Sequence, residues 1–342
     1  MPASSLHIGH ADLAACRAAL RSGSRTFHLA SKVLPGEPRA AATALYAFCR
    51  LADDLVDEGG GCPEALEVLH ARLDLAYAGQ PADHPADRAF AGVVARYAIP
   101  RALPEALLEG FAWDAAGRRY EDLDALIGYA ARVAGSVGVM MSLLMGVRDG
   151  PTLSRACDLG LAMQLTNIAR DVGEDARNGR VYLPLSWLEQ GGVDVRDWMG
   201  QPRHDPALAA VVGRLLAFAD VLYRRAQTGI CRLPAGCRPG MFAARSLYAE
   251  IGREVERQGL DSVTRRAVVS GSRKLRVLGG ALVRSGLRTR LETGPTEAPA
   301  RYLVEAACEA PSPDPRVEFQ GRVGWVLDLF ERLERADQGR LA

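Results

Sequence analysis

Apolar residues recur every three or four positions along almost the whole chain, and alternating β-branched runs are scarce. That period puts an apolar stripe along one side of a helix. Segments such as "PRAAATALYAFCRLADDLVD", "DRAFAGVVARYAI", "LSRACDLGLAMQLTNIARDVGED" and "PALAAVVGRLLAFADVLYRRAQTGI" all carry it. Turn-forming stretches ("LPGEP", "GGGCP", "GQPADHP", "RDGP", "QPRHDP") separate the periodic segments. Pro38, Pro63, Pro104, Pro151 and Pro206 fall near the expected helix starts, where a missing N–H costs nothing. The pattern predicts about ten helices joined by short loops, an all-α fold with no solenoid repeat. With 342 residues and 48% hydrophobic content, one large helical unit can bury a substantial core. A composition break, "ETGPTEAPARYLVEAACEAPSPDP" from about 292 to 315, predicts a linker between a body over 1–290 and a tail over 291–342. In that tail Phe319, Val323, Val326, Phe330 and Leu333 form an amphipathic stripe. Its polar face holds both Glu and Arg, which favours packing on the body or a partner over packing on lipid.

Charge and cysteine usage exclude several function classes. The 42 basic and 41 acidic residues nearly cancel, so nucleic-acid binding by bulk charge is not expected. Seven scattered cysteines contain no CxxC, which supports neither a zinc site nor a disulfide framework. Reduced thiols in a cytoplasmic compartment are the simplest expectation. The opening "MPASSLHIGHADLAAC" lacks the layout of a signal peptide. The longest uncharged apolar run, "VAGSVGVMMSLLMGV", falls short of the ~20 residues needed to cross a bilayer.

Two stretches carry the chemistry. In "ALYAFCRLADDLVD" Tyr46, Arg50, Asp53 and Asp57 follow steps of four, three and four, so they share one helix face. Leu45, Phe48, Ala52 and Val56 are predicted to form the buried side. In "MQLTNIARDVGEDARNGRVYLP" Gln164, Asn167, Asp171 and Asp175 make a second stripe, with Arg170 beside it and Leu161, Leu165, Ile168 and Val172 on another side. A single acidic pair is ordinarily a solvated face, because like charges one turn apart destabilise a helix. Two matched ladders more than a hundred residues apart, one of them including neutral oxygen donors, point instead to a hard cation. Mg²⁺ accepts one or two carboxylates together with substrate phosphate oxygens, and Mn²⁺ is an alternative. Arginines would take the remaining phosphate oxygens. With no GxxxxGK[ST] and no Rossmann glycine pattern, the expected phosphate source is a diphosphate on an apolar molecule rather than a nucleotide.

These motifs, with "GSRTFHLASKVLP", "YAARVAGSVG" and "ARSLYAEIGREVERQGLDSVTRRAVVSGSRKL", closely resemble the squalene/phytoene synthase family, above all its bacterial phytoene-forming members, over about residues 12 to 285. The resemblance implies an isoprenoid-synthase fold, a single helical domain around a central apolar cavity. It implies head-to-head joining of two prenyl diphosphates, geranylgeranyl diphosphate giving phytoene through a cyclopropylcarbinyl diphosphate. The alternatives are squalene or dehydrosqualene formation from farnesyl diphosphate, or a non-catalytic helical scaffold. The former would call for NADPH in the squalene case, and no NADPH is expected here. Carried over by motif, Asp53, Asp57, Asn167, Asp171 and Asp175 are the implied metal ligands. Ser24, Arg25, Thr26, Tyr46, Arg50, Gln164, Arg170 and Tyr248 are the implied substrate contacts. Tyr129 is either near the reacting centre or a core ring with one bonded hydroxyl. Arg265, Arg266 and Lys274 either add charge at the cavity mouth or are surface residues. Gly135 and Gly138 admit either a prenyl chain or a close helix neighbour. Ala131 and Leu260, where the family more often has aromatics, are expected to bear on cavity shape. A forty-carbon hydrocarbon product leaves water, so peripheral membrane contact is expected; oligomeric state stays open.

Overall fold

Capping side chains and turn residues divide the chain as the periodicity implies, into more pieces than the pattern alone resolves. The computed structural model describes residues 8–58, 63–286 and 289–310, without the side chains of Arg25, Thr26, Asp57, Glu58, Pro63 and Ser285. Its helices in the first half are α1 (His10–Gly23), α2 (Arg25–Ser31), α3 (Gly36–Glu58), α4 (Pro63–Tyr77), α5 (Pro85–Tyr97), α6 (Ala102–Ala115), α7 (Leu123–Ala130) and α8 (Ser136–Leu144). A π-helical turn, Ala131–Gly135, joins α7 to α8. There follow α9 (Gly150–Arg177), α10 (Leu185–Gln190), α11 (Val195–Gly200), α12 (Pro206–Ile230), α13 (Arg238–Arg257), α14 (Gly271–Ser285) and α15 (Arg301–Glu309). No strand occurs among the described residues.

The hub is α9. Asp149 starts it, accepting a hydrogen bond from the Thr152 N–H at 3.0 Å, with Pro151 in the first turn. It ends at Asn178, followed by Gly179 at φ 76°. Apolar residues surround most of its circumference, so it is buried against α12, α8, α13, α15 and the π turn. Leu161, Leu165, Ile168 and Val172 are buried as the pattern requires. So are Leu45, Phe48, Ala52 and Val56 of α3, where Phe48 stacks on Phe90 of α5 with ring centroids 3.9 Å apart. The π turn meets α9 through bare backbone. A Cβ on Gly160 would stand 2.2 Å from the Ala134 carbonyl oxygen, and one on Gly138 would stand 2.3 Å from that of Ala156. Gly135 faces Cys157 and Leu303. Helix packing therefore accounts for both flagged glycines, although Gly138 also reaches the cavity wall.

Two stretches, Leu123–Leu144 and Pro206–Ile230, are long and apolar enough to cross a membrane by length and composition. Both face other helices, with 67% and 50% of the relevant windows buried inside the fold.

The expected linker is a correction. Residues 292 to 309 are strapped onto α9 and α12 rather than free, and α15 buries Leu303, Val304 and Ala307. The fully buried Arg155 donates to the carbonyls of Glu292 at 3.1 Å, Gly294 at 2.9 Å and Pro295 at 3.2 Å. Thr296 donates to Asp158 at 2.7 Å, and Arg225 pairs with Asp158 at 3.2 Å and Glu297 at 2.5 Å. Proline and glycine gave this segment a linker's composition, but its carbonyls are satisfied by a buried guanidinium. The stripe from Phe319 to Leu333 lies outside the described residues.

Candidate active site

Part of each ladder faces one hollow, Tyr46, Arg50 and Asp53 from α3 and Gln164 and Asn167 from α9, whereas Asp171 lines neither compartment and Asp175 borders a separate small crevice with Arg180 and Trp198. An apolar chamber of about 280 Å³ lies between α1, α2, α3, the π turn with α8, α9 and α13, with Leu45, Met141, Leu159 and Met163 among its walls. It opens into a polar vestibule of about 460 Å³ lined by Ser24, Arg50, Asp53, Asn167, Arg170 and Arg266. Phe27, Tyr46 and Tyr248 belong to both compartments and form the collar between them. The Phe27 ring lies 6.2 Å from Tyr46 and 5.3 Å from Tyr248, centroid to centroid. Burial raises the pKa of both tyrosines, to about 12 for Tyr248, so each is a neutral hydroxyl at ordinary pH. Gln164 faces the chamber and accepts from the Asn167 amide at 3.5 Å, the limit of a hydrogen bond.

Carboxylates and guanidiniums are interleaved in the vestibule. Arg50 donates to Asp53 at 3.1 Å and pairs with Asp54 at 2.5 Å. Arg170 donates to Asp171 at 2.7 Å, and Arg266 approaches the same carboxylate at 2.8 Å and Glu174 at 3.2 Å. Burial acts to raise the Asp171 pKa, and the bonds from Arg170 and Arg266 outweigh it, holding the carboxyl below its ordinary value. One turn on, Asp175 has the charge of Arg180 in its favour, and it is outweighed. Burial, then Asp171 and Glu174, push it up to about 7.

Arg266 reaches Asp171 from the loop after α13 because Gly173 lets it. The Gly173 N–H donates to the Ser262 carbonyl at 2.9 Å, and a Cβ there would meet the Val263 carbonyl oxygen at 2.2 Å. A glycine inside a helix otherwise costs about 1 kcal/mol against alanine. Gly173→Ala is expected to push the loop off α9, at a net cost of about 2 kcal/mol. That would lower the thermal midpoint by roughly 5 °C. Calorimetry checks this, and an unchanged midpoint would show that the loop is not held there.

Tyr129 lies outside both compartments' walls. It is 3% exposed, donates to Asp114 at 2.7 Å, and stacks near Tyr182 with centroids 5.2 Å apart. Tyr182 donates to the same carboxylate at 2.7 Å. Asp114 also adds to the raised pKa of Asp175, so this cluster backs the second ladder. Neither Asp114 nor Tyr182 is singled out by the helix spacing; an acid directly after the aromatic run of "GFAWDAAG" is the one local signal for Asp114. Ala131 is buried in the π turn, and Leu260, at φ 61°, covers Gly213 of α12. Neither lines the chamber, which corrects the expectation that they shape it. Lys274 borders a side groove beyond Arg170 and Arg266. The side chains of Arg25, Thr26 and Asp57 lie outside the described residues.

The donor chemistry fits a hard divalent cation. Asp53 stands on one wall, and Asn167, Asp171 and Asp175 stand on the other helix. Burial first, and then the charges of Asp171 and Glu174, raise Asp175, and a bound cation would oppose both. Among the described residues no three His, Cys, Asp or Glu side chains are gathered closely enough to hold an ion alone. Substrate oxygens would have to complete such a shell, as Mg²⁺ commonly requires.

A squalene/phytoene synthase family model matches residues 20–273. Among curated proteins, phytoene synthase of Cereibacter sphaeroides is 50% identical, covering 97% of this chain and 96% of the relative. That of Rhodobacter capsulatus is 49% identical over 88% of this chain and 91% of its own length. Among solved structures, a dehydrosqualene synthase in complex with ligand superposes with TM-score 0.73 at 31% identity, covering 80% of this chain and 96% of that one. A squalene synthase of Alicyclobacillus acidocaldarius gives TM-score 0.66 at 25% identity, covering 73% and 94%.

Proposed function

The chain belongs to the squalene/phytoene synthase family, and on that premise we propose that its site joins two geranylgeranyl diphosphates head to head into phytoene, releasing two diphosphates. The observation that carries this reading is the apolar chamber opening, through an aromatic collar, onto a vestibule that holds Arg50 and Asp53 of one ladder and Asn167 of the other, with Arg170 and Arg266 linking its wall to Asp171. The identity to phytoene synthases over nearly the full length supports the twenty-carbon substrate.

Each step has a residue suited to it. Arg50, Arg170 and Arg266 offer guanidiniums to diphosphate oxygens. Asp53, Asn167, Asp171 and Asp175, with Asp57, would hold Mg²⁺ or Mn²⁺, which when bound neutralises charge on the departing diphosphate. Loss of the first diphosphate leaves an allylic cation. The double bond of the second substrate attacks it, and loss of a proton closes a cyclopropylcarbinyl diphosphate. Loss of the second diphosphate, rearrangement and a further proton loss give the hydrocarbon. Phe27, Tyr46 and Tyr248 present ring faces where these cations form. The chamber walls keep water from them. Tyr129, held by Asp114, supports the wall behind the second ladder.

Purified protein supplied with geranylgeranyl diphosphate and Mg²⁺ is expected to yield phytoene and diphosphate in a ratio of about one to two, the stoichiometry of a two-substrate condensation. Consumption of farnesyl diphosphate with none of the longer substrate would move the assignment to a thirty-carbon product. Turnover of neither would remove the enzymatic reading.

A further inference from the structure

Between Ser262 and Leu291 the sequence holds eight Lys and Arg and no Asp or Glu, in a chain of net charge +1. This stretch comprises the Arg266 loop and α14. Arg266 and Arg273 are taken by Asp171 and Glu250. Arg265, Arg276 and Arg284 are exposed and have no acidic neighbour within their own segment. The two most exposed large apolar side chains among the described residues also lie here: Val268 at 70% and Val283 at 75%. On α14 Leu278 and Ala281 are buried, and the helix packs on α13. Arg276 and Val283, seven residues apart, therefore share its outward stripe. The stretch is continuous with the site, since Arg170, Ile251 and Arg266 line both the vestibule and a side groove that includes Val268 and Lys274.

We propose that this face, the 262–270 loop with α14, seats the protein on an anionic lipid surface. Unpaired arginines would meet lipid phosphates, and Val268 and Val283 would enter the headgroup region. A polyanion such as nucleic acid would use the arginines and leave the valines in water, so lipid fits the combined surface better. The placement also suits an amphiphile whose diphosphate lies at the depth of the lipid phosphates, beside the vestibule. This inference rests on the reading that the substrate and product are prenyl lipids.

The test is co-sedimentation of the full chain, without substrate, with vesicles of phosphatidylcholine alone or mixed with phosphatidylglycerol. Binding is expected on the anionic vesicles and not on the neutral ones, weakening with salt. The double variant R276Q/R284Q should bind about 25-fold more weakly, roughly fivefold per charge lost. V283S should weaken binding in low and high salt alike, because it removes apolar contact without changing charge. Both variants should form phytoene normally in detergent, which separates failed docking from failed catalysis. Equal binding to neutral vesicles, unchanged binding by R276Q/R284Q, or capture by heparin with no vesicle binding would each overturn the proposal.

Discussion

Asp171→Asn is expected to slow diphosphate release by roughly a thousandfold, with the fold intact. The substitution keeps the shape of the side chain and removes one negative charge from the second ladder. Arg170 and Arg266 then lose the carboxylate that both engage. A preorganised electrostatic partner removed from a site of this kind typically costs 10²- to 10³-fold in rate, and the loss of a metal ligand lies at or beyond the upper end. Chelation of divalent ions should reproduce the effect in the unaltered protein. Added Mg²⁺ should restore that protein fully and the variant little. Released diphosphate is the readout, with the thermal midpoint as a control for folding. Retained turnover in Asp171→Asn, or turnover indifferent to chelation, would falsify the cation-bridged reading of the two ladders.

Arg155→Met is expected to be the most destabilising single change at a distance from the chamber. Arg155 is fully buried, lies 2.9 Å from Asp158, and is the donor for three carbonyls of the strap. Methionine fills much of the volume and leaves Asp158 with Arg225 and Thr296 only. Breaking a buried pair by removing one partner costs about 3–5 kcal/mol, and the unpaired carbonyls add to it. The thermal midpoint should fall by roughly 10 °C, and residues 289–300 should become sensitive to protease. Adding Asp158→Leu should recover part of the loss, because the uncompensated carboxylate goes with it. A midpoint shift below about 2 °C would mean that the strap is held by α15 alone.

What could be read in the sequence follows the range of the interactions involved. The buried stripes of α3 and α9 rest on spacing within one helix, and both were legible residue by residue. The meeting of the ladders was legible only in part: Asp53 and Asn167 do line one vestibule, while Asp175 borders a separate crevice that no spacing along α9 foretells. Pro63, Pro151 and Pro206 each sit in the first turn of a helix, another local effect. The strap was misread because composition reports what a segment resembles, whereas Arg155 lies more than a hundred residues away. Arg266 acts across 95 residues and Asp114 meets Tyr182 across 68, and no local pattern ties either one to α9. Gly173 is the intermediate case. A glycine between Asp171 and Asp175 is visible as a costly choice, but only the Val263 carbonyl explains it.

The π turn at Ala131–Gly135 also bears on how the wall of the chamber can change in length. A five-residue step is an ordinary helix carrying one surplus residue, absorbed locally so that both flanks keep their facing. Elsewhere in an α-helix, deleting one residue swings everything after it by about 100°. Within 131–135 the same deletion would restore regular winding and leave Leu126 and Met140 pointing as they do now. This short stretch is therefore where the wall can lose a residue and still hold its shape.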